Sequence, residues 1–208
     1  DVPIDPGRLD PSDQLPYYPL RGGLAGVRAG WFYSNAQYYA NGISAEEGRS
    51  VGLRVALYHP MFGSQFRVYE FEWSWTEYVR MPFVRHHVLA LRYAGGLSGG
   101  DFGRRGVFWV GGMPQADLLG NLIGRQNWGG AWLRGYDFAA RVGYHYHLVQ
   151  AEYRFPIASI HRGVVTLPIA IRRIWGAVYA DYGNAFVGPL KLSDFLLGAG
   201  AEIFVELQ

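Results

Sequence analysis

Between Phe66 and Tyr78 the side chains alternate strictly: Tyr69, Phe71, Trp73 and Trp75 fall on one face, Glu70, Glu72, Ser74 and Thr76 on the other. Successive residues of a strand point to opposite faces, so this run predicts a strand with one bulky apolar face and one polar face. The same rhythm governs most of the chain. Val51–Tyr58 sets Leu53, Val55 and Leu57 against Gly52, Arg54 and Ala56. His87, Leu89, Leu91 and Tyr93 oppose Val88, Ala90, Arg92 and Ala94. Further strands are predicted over Leu24–Tyr39, Val107–Gly111, Tyr144–Phe155, Ile171–Tyr182 and Phe195–Leu207. Turns are predicted at Asn41–Gly48, Met61–Ser64, Pro82 and the glycine-rich Gly95–Gly106. From Gly112 to about Gly143 the pattern lapses into an irregular loop, far longer than the usual ~4–6 residues. Residues 1–22 hold five of the eleven prolines and predict an extended lead-in, with the strands lying in 23–208. The count is about eight strands, each near the ~9–11 residues that cross a bilayer.

Composition decides what solvent those strands face. Aromatic residues are 16% and glycines number 29 of 208, while charged residues are only 17%, against the typical ~25%. Mean hydropathy is nevertheless −0.03, and the sequence has no unbroken apolar run of the ~18 residues that a membrane helix needs. A chain aromatic-rich, charge-poor and hydropathically neutral fits an antiparallel transmembrane β-barrel, whose lipid-facing and lumen-facing residues cancel on average. A soluble barrel or sandwich alternates too, with its apolar face turned inward. Two features favour lipid. The apolar face is aromatic, with Trp and Tyr near strand ends. The opposite face carries Arg54, Glu70, Glu72, Arg92, Glu152 and Glu202, too many charges for a dry core and suited to a wet lumen. Asp1–Pro6 shows no basic n-region or apolar h-region of a signal peptide.

Four elements then occur in order: Phe108-Trp109-Val110-Gly111-Gly112, Leu133-Arg134-Gly135-Tyr136, Glu152-Tyr153-Arg154-Phe155-Pro156-Ile157 and Tyr179-Ala180-Asp181-Tyr182-Gly183. This series resembles the BamA/TamA superfamily of outer-membrane barrels, the surface-antigen type, over roughly residues 50–208. The resemblance implies that Leu133–Tyr136 tips a long loop folded back into the lumen, and that Arg134 pairs with Asp181. The physics agrees: a planar guanidinium ties a loop down by bidentate, charge-assisted bonds. Gly135 suits a sharp turn at φ > 0, Tyr136 packs against the wall, Glu152 is expected as a lumenal neighbour of the loop, and Tyr179, on the face of Asp181, as lumen lining. The family barrel has sixteen strands and is preceded by periplasmic domains; here about half that number is read, and the end Glu206-Leu207-Gln208 lacks the frequent terminal aromatic. The chain is therefore read as an excerpt. Taken singly, Arg134-Gly135 and Asp181–Asn184 are also ordinary turn sequences.

By resemblance, the expected function is insertion of barrel proteins into the bacterial outer membrane or passage of proteins across it. The expected partners are the lipid bilayer, client outer-membrane or exported proteins, and accessory periplasmic proteins. A passive structural barrel or small-solute pore is the alternative, and a soluble ligand-binding barrel a third. The net charge of +2 gives no case for nucleic acid. No cysteine is present, so neither disulfides nor thiolate metal sites arise. His145 and His147 share a face but lack a third ligand of clear spacing, and His86 and His87 point apart. No metal, cofactor or catalytic residue is predicted: Ser74 beside Glu70 and Glu72 is read as lumen lining, no Gly-x-Ser-x-Gly occurs, and Gly95–Gly100 lacks the lysine of a phosphate loop.

Overall fold

The computed structural model describes residues 22–39, 42–101, 104–112, 131–163 and 170–207; the proposed lead-in lies outside them but for Gly22. The main sheet is antiparallel. Its strands run in the order β1 (Gly26–Ser34), β3 (Ala45–Tyr58), β4 (Val68–Arg80), β5 (Val88–Gly100), β9 (His145–Gly163), β10 (Ala170–Phe186) and β11 (Leu196–Leu207), and the short β2 (Gln37–Tyr38) also pairs with β3. Only β5 to β9 departs from simple hairpin order, because the chain between them leaves the sheet. Among the described residues the sheet is open, with β1 and β11 as its edges.

Alternation runs through the sheet in register. The row Val51–Trp75–Tyr93–Val149–Tyr182–Leu197 lies on one face, and Ser50–Thr76–Arg92–Gln150–Asp181–Gly198 on the other. The first face is apolar and exposed, with Tyr69 at 58%, Trp75 at 47% and Ile203 at 74%. The polar face is concave. Arg173 of β10 donates to the carbonyl of Gly42 beside β3, a contact across strands that are not neighbours and that only a curled sheet allows.

Three expectations are corrected. The glycine-rich Gly95–Gly100 is no turn; it is the second half of β5. Glycine counts against a strand by propensity, but here a Cβ at Gly95 or Gly99 would strike the rings of Trp73 and Tyr69 on β4. The absent side chains make room for the aromatic face. Similarly, β3 begins at Ala45, inside the predicted turn, and β9 continues to Gly163.

The second correction concerns Phe108–Gly111, predicted as one of the barrel strands. It is β6, and it joins β7 (Ala131–Trp132) and β8 (Arg141–Gly143) in a separate three-stranded sheet of order β7-β6-β8. The third follows from it: the stretch from Gly112 to Gly143 is not irregular throughout. Its described part is a small sheet laid against the concave face, and Phe108, Val110 and Leu133 bury themselves there against Ala94, Tyr146, Leu148 and Ala185.

Candidate functional site: an arginine tie on the concave face

The small sheet delivers one side chain to the wall. Gly111 accepts from the Leu133 amide at 2.8 Å, and the Gly112 amide donates to Asp137 at 2.9 Å. These bonds fix both flanks of the tip Leu133–Tyr136. Leu133 is fully buried in the apolar cluster, so it pins the tip and leaves Arg134 to point at β10. Gly135 has φ 87°, a left-handed conformation that most side chains resist, and it reverses the backbone directly after the arginine. The Tyr136 hydroxyl donates to the Leu197 carbonyl at 2.8 Å.

Arg134 grips Asp181 by the fork: Nε to Oδ2 at 2.8 Å and Nη2 to Oδ1 at 2.9 Å, while its own amide donates to Oδ2 at 3.2 Å. Nη1 donates to Glu152 at 2.6 Å and lies 3.6 Å from a Glu202 oxygen. The guanidinium sits 3.6 Å above the Tyr179 ring, within cation–π range. Arg154 donates to the second Glu152 oxygen at 2.6 Å. Two cations thus meet three carboxylates, one of which, Asp181, is fully buried. Burial alone opposes charge on Arg134, but the bonds from Asp181 and Glu152 prevail and raise its pKa above the ordinary value. The arrangement is a tie: the fork's donors toward the wall are engaged by Asp181 and Glu152.

Of the residues singled out in the sequence, Arg134, Gly135, Tyr136, Glu152, Tyr179, Asp181 and Glu202 come together here. Arg92 stands one strand away and bonds Gln150 at 3.2 Å. Arg54 and Glu72 form a separate pair at 3.5 Å, and Glu70 faces the same side between Ala56 and Ser98 without touching the tie. His147 lies on the outer face beside the Tyr93 hydroxyl at 2.9 Å, and no group of residues among those described is arranged to hold a metal. His86 bonds the buried Glu46 at 2.7 Å and His87 the Tyr153 hydroxyl at 2.8 Å.

Sequence reasoning assigns no role to Gln150 or Gly198, and gives Leu133 only as part of the tip motif. Gln150 donates to the Trp132 carbonyl at 3.1 Å. A Cβ at Gly198 would strike the Arg134 carbonyl, and one at Gly143 would strike the backbone of Phe186. Only the alternation of β11 hinted at Gly198, which it places on the face of Glu202. Gly143→Ala is expected to push β8 off β10, at about 1–3 kcal/mol as for other overpacked sites. Urea midpoints of variant and parent check it; an unchanged midpoint would show that the two strands are free to separate.

No family model matches the chain, and no curated protein matches it.

Proposed function

We propose that this chain forms part of a transmembrane β-barrel in the bacterial outer membrane, one that inserts other barrel proteins into that membrane or passes proteins across it. The Arg134 tie carries the reading. A segment folded back over the charged face and held there by a buried carboxylate is the arrangement implied by the resemblance to the BamA/TamA superfamily. On this reading the concave face is the lumen and the bilayer is the partner of the convex face. That face supports the assignment by its chemistry: between Val51 and Leu57, Tyr69 and Trp75, Val149 and Ile157, and Leu197 and Val205 none of its outward residues is charged. The Arg49–Glu77 pair sits beside Trp75 toward the strand ends, where an interface lies.

Further strands on β1 and β11 would complete a sixteen-stranded barrel, and an unpaired edge is a template on which a client strand adds by main-chain bonds. Accessory periplasmic proteins would deliver the clients. Vesicles carrying this protein are expected to speed the acquisition of protease resistance by a urea-unfolded outer-membrane barrel, relative to empty vesicles. The same vesicles leaking small solutes without that acceleration would instead establish the passive pore, a reading favoured by the open cavities along the concave face.

A further inference from the structure

Two cavities line the concave face beside the tie. One, of about 400 Å³, is bounded by Gly30, Phe32, Gly52, Arg54, Glu72, Ser74 and Arg92 among others. The second, of about 460 Å³, reaches from Phe32, Ser74, Thr76 and Arg92 to Trp132 and Arg134. Each falls within the usual ~300–1,000 Å³ of a small-molecule site. They share three residues: Phe32, Ser74 and Arg92.

Arg92 is the unusual member. Four arginines line the two cavities, and three are matched by carboxylates: Arg54 with Glu72, Arg134 with Asp181 and Glu152, Arg154 with Glu152. Among the described residues Arg92 has no carboxylate within ion-pair distance, and it spends one donor on the neutral Gln150. The side chain is exposed in the cavity. A guanidinium has five donors, so most of its fork is open to a ligand. Thr76 stands directly across from Arg92 in register, and Ser74 is the next residue of β4 on the same face. Directly paired residues bring their Cβ atoms within ~5.5 Å and diagonal ones within ~7–8 Å, so the Thr76 hydroxyl stands beside the cation and that of Ser74, which lines both cavities with Arg92, lies further along the same face. Phe32, 72% exposed, and Trp132, 50% exposed, wall the space with apolar surface that sharpens the field of the charge. The two carboxylates in view, Glu72 and Glu152, are each taken by an arginine.

We propose that Arg92, with Ser74 and Thr76, forms a site on the concave face for a small soluble anion, bound through a phosphate or carboxylate group. The fork and the two hydroxyls donate to its oxygens, and Phe32 and Trp132 cover the remainder of the molecule. The anion's donors differ from those of the tie: they come from β4 and β5, whereas Arg134, which borders the second cavity, is held by β9, β10 and β11.

Calorimetric titration of the detergent-solubilised protein with inorganic phosphate, acetate, glucose 6-phosphate and glucose tests it. Binding of phosphate or acetate, weakened at least tenfold by Arg92→Gln and by added salt, is the expected result, with Arg92→Lys falling between. Glucose 6-phosphate should bind more tightly than either ion, and glucose far more weakly. Protease protection of the tip should be unchanged in all Arg92 variants, which shows that they fold. Glucose binding as tightly as its phosphate, anion binding indifferent to Arg92→Gln, or no binding of any of the four would overturn the proposal. Dispersed phosphatidylglycerol is the control for a lipid headgroup: binding of the lipid without binding of the free ions would equally overturn it.

Discussion

Arg134→Ala releases the tip of the fold-back sheet from the wall. The variant leaves Asp181 buried without its cation, and stranding one partner of a buried pair costs about 3–5 kcal/mol. The loss is local, since Leu133 still fills its apolar pocket. The expected signature is therefore rapid hydrogen exchange at the amide of position 134, which in the parent donates to Asp181, and proteolysis near Tyr136, with the main sheet intact. Arg134→Lys keeps a charge but not the fork, and three donors on a flexible stem cannot reproduce the bonds to Asp181 and Glu152 together. It should recover a minor part of the protection. Protection equal to the parent in Arg134→Ala would mean that apolar packing alone holds the tip.

The network also dictates which double variant is informative. Exchanging the two charges, with Arg134→Asp and Asp181→Arg, sets the new carboxylate beside Glu152 and near Glu202, so the swap should recover poorly even though the residues touch. Removing both charges, with Arg134→Met and Asp181→Asn, strands no ion in the pair and should cost less than the sum of the single changes. Contacting residues give coupling of about 0.5–3 kcal/mol, and a buried bidentate pair belongs at the upper end. Additive losses would show that the two side chains act independently.

Much of the fold was legible because a period of two survives burial on one face only. Each strand of the main sheet announced which residues share a side, and the charged set Arg54, Glu70, Glu72, Arg92, Glu152 and Glu202 lies on one face in the structure. What failed were positions where glycine serves packing. Gly95 and Gly99 look like punctuation, yet they sit opposite Trp73 and Tyr69 in register; only the pairing of β4 with β5 reveals this, and pairing is not local. β6 failed for a related reason. Four alternating residues do not say which sheet they join, and Phe108 and Val110 turn their apolar face to the concave side of the main sheet. The contact between Arg134 and Asp181 spans 47 positions. No periodicity reports such a contact; the ordered motifs proposed it, and the structure places the two side chains in bonding distance. Gly198 escaped because its role is to fit the backbone of a distant segment, and the pocket that Leu133 of the tip fills is likewise built by distant strands.

Val178→Arg separates the membrane reading from a soluble one with the largest contrast. Val178 lies at the middle of β10, on the outer face and 45% exposed. Its register partners Tyr153 and Ala201 are uncharged, so the introduced guanidinium has no acidic neighbour directly across either strand. In a bilayer an arginine on the lipid face near the midplane costs ~2–4 kcal/mol, and less toward the interfaces. In water the same change is a surface substitution within about 0.5 kcal/mol. Ser50→Lys is the control: Ser50 lies on the polar concave face, where a wet lumen tolerates a charge. Urea unfolding in vesicles is expected to show Val178→Arg destabilised by 2 kcal/mol or more by the same scale, with Ser50→Lys near the parent. Tyr69→Arg, near the start of β4, should cost less than Val178→Arg because it stands nearer a strand end, where the guanidinium reaches headgroups and water. Equal and negligible effects at all three positions would mean that the exposed aromatic face meets water or another protein, and the outer-membrane assignment would fall with them.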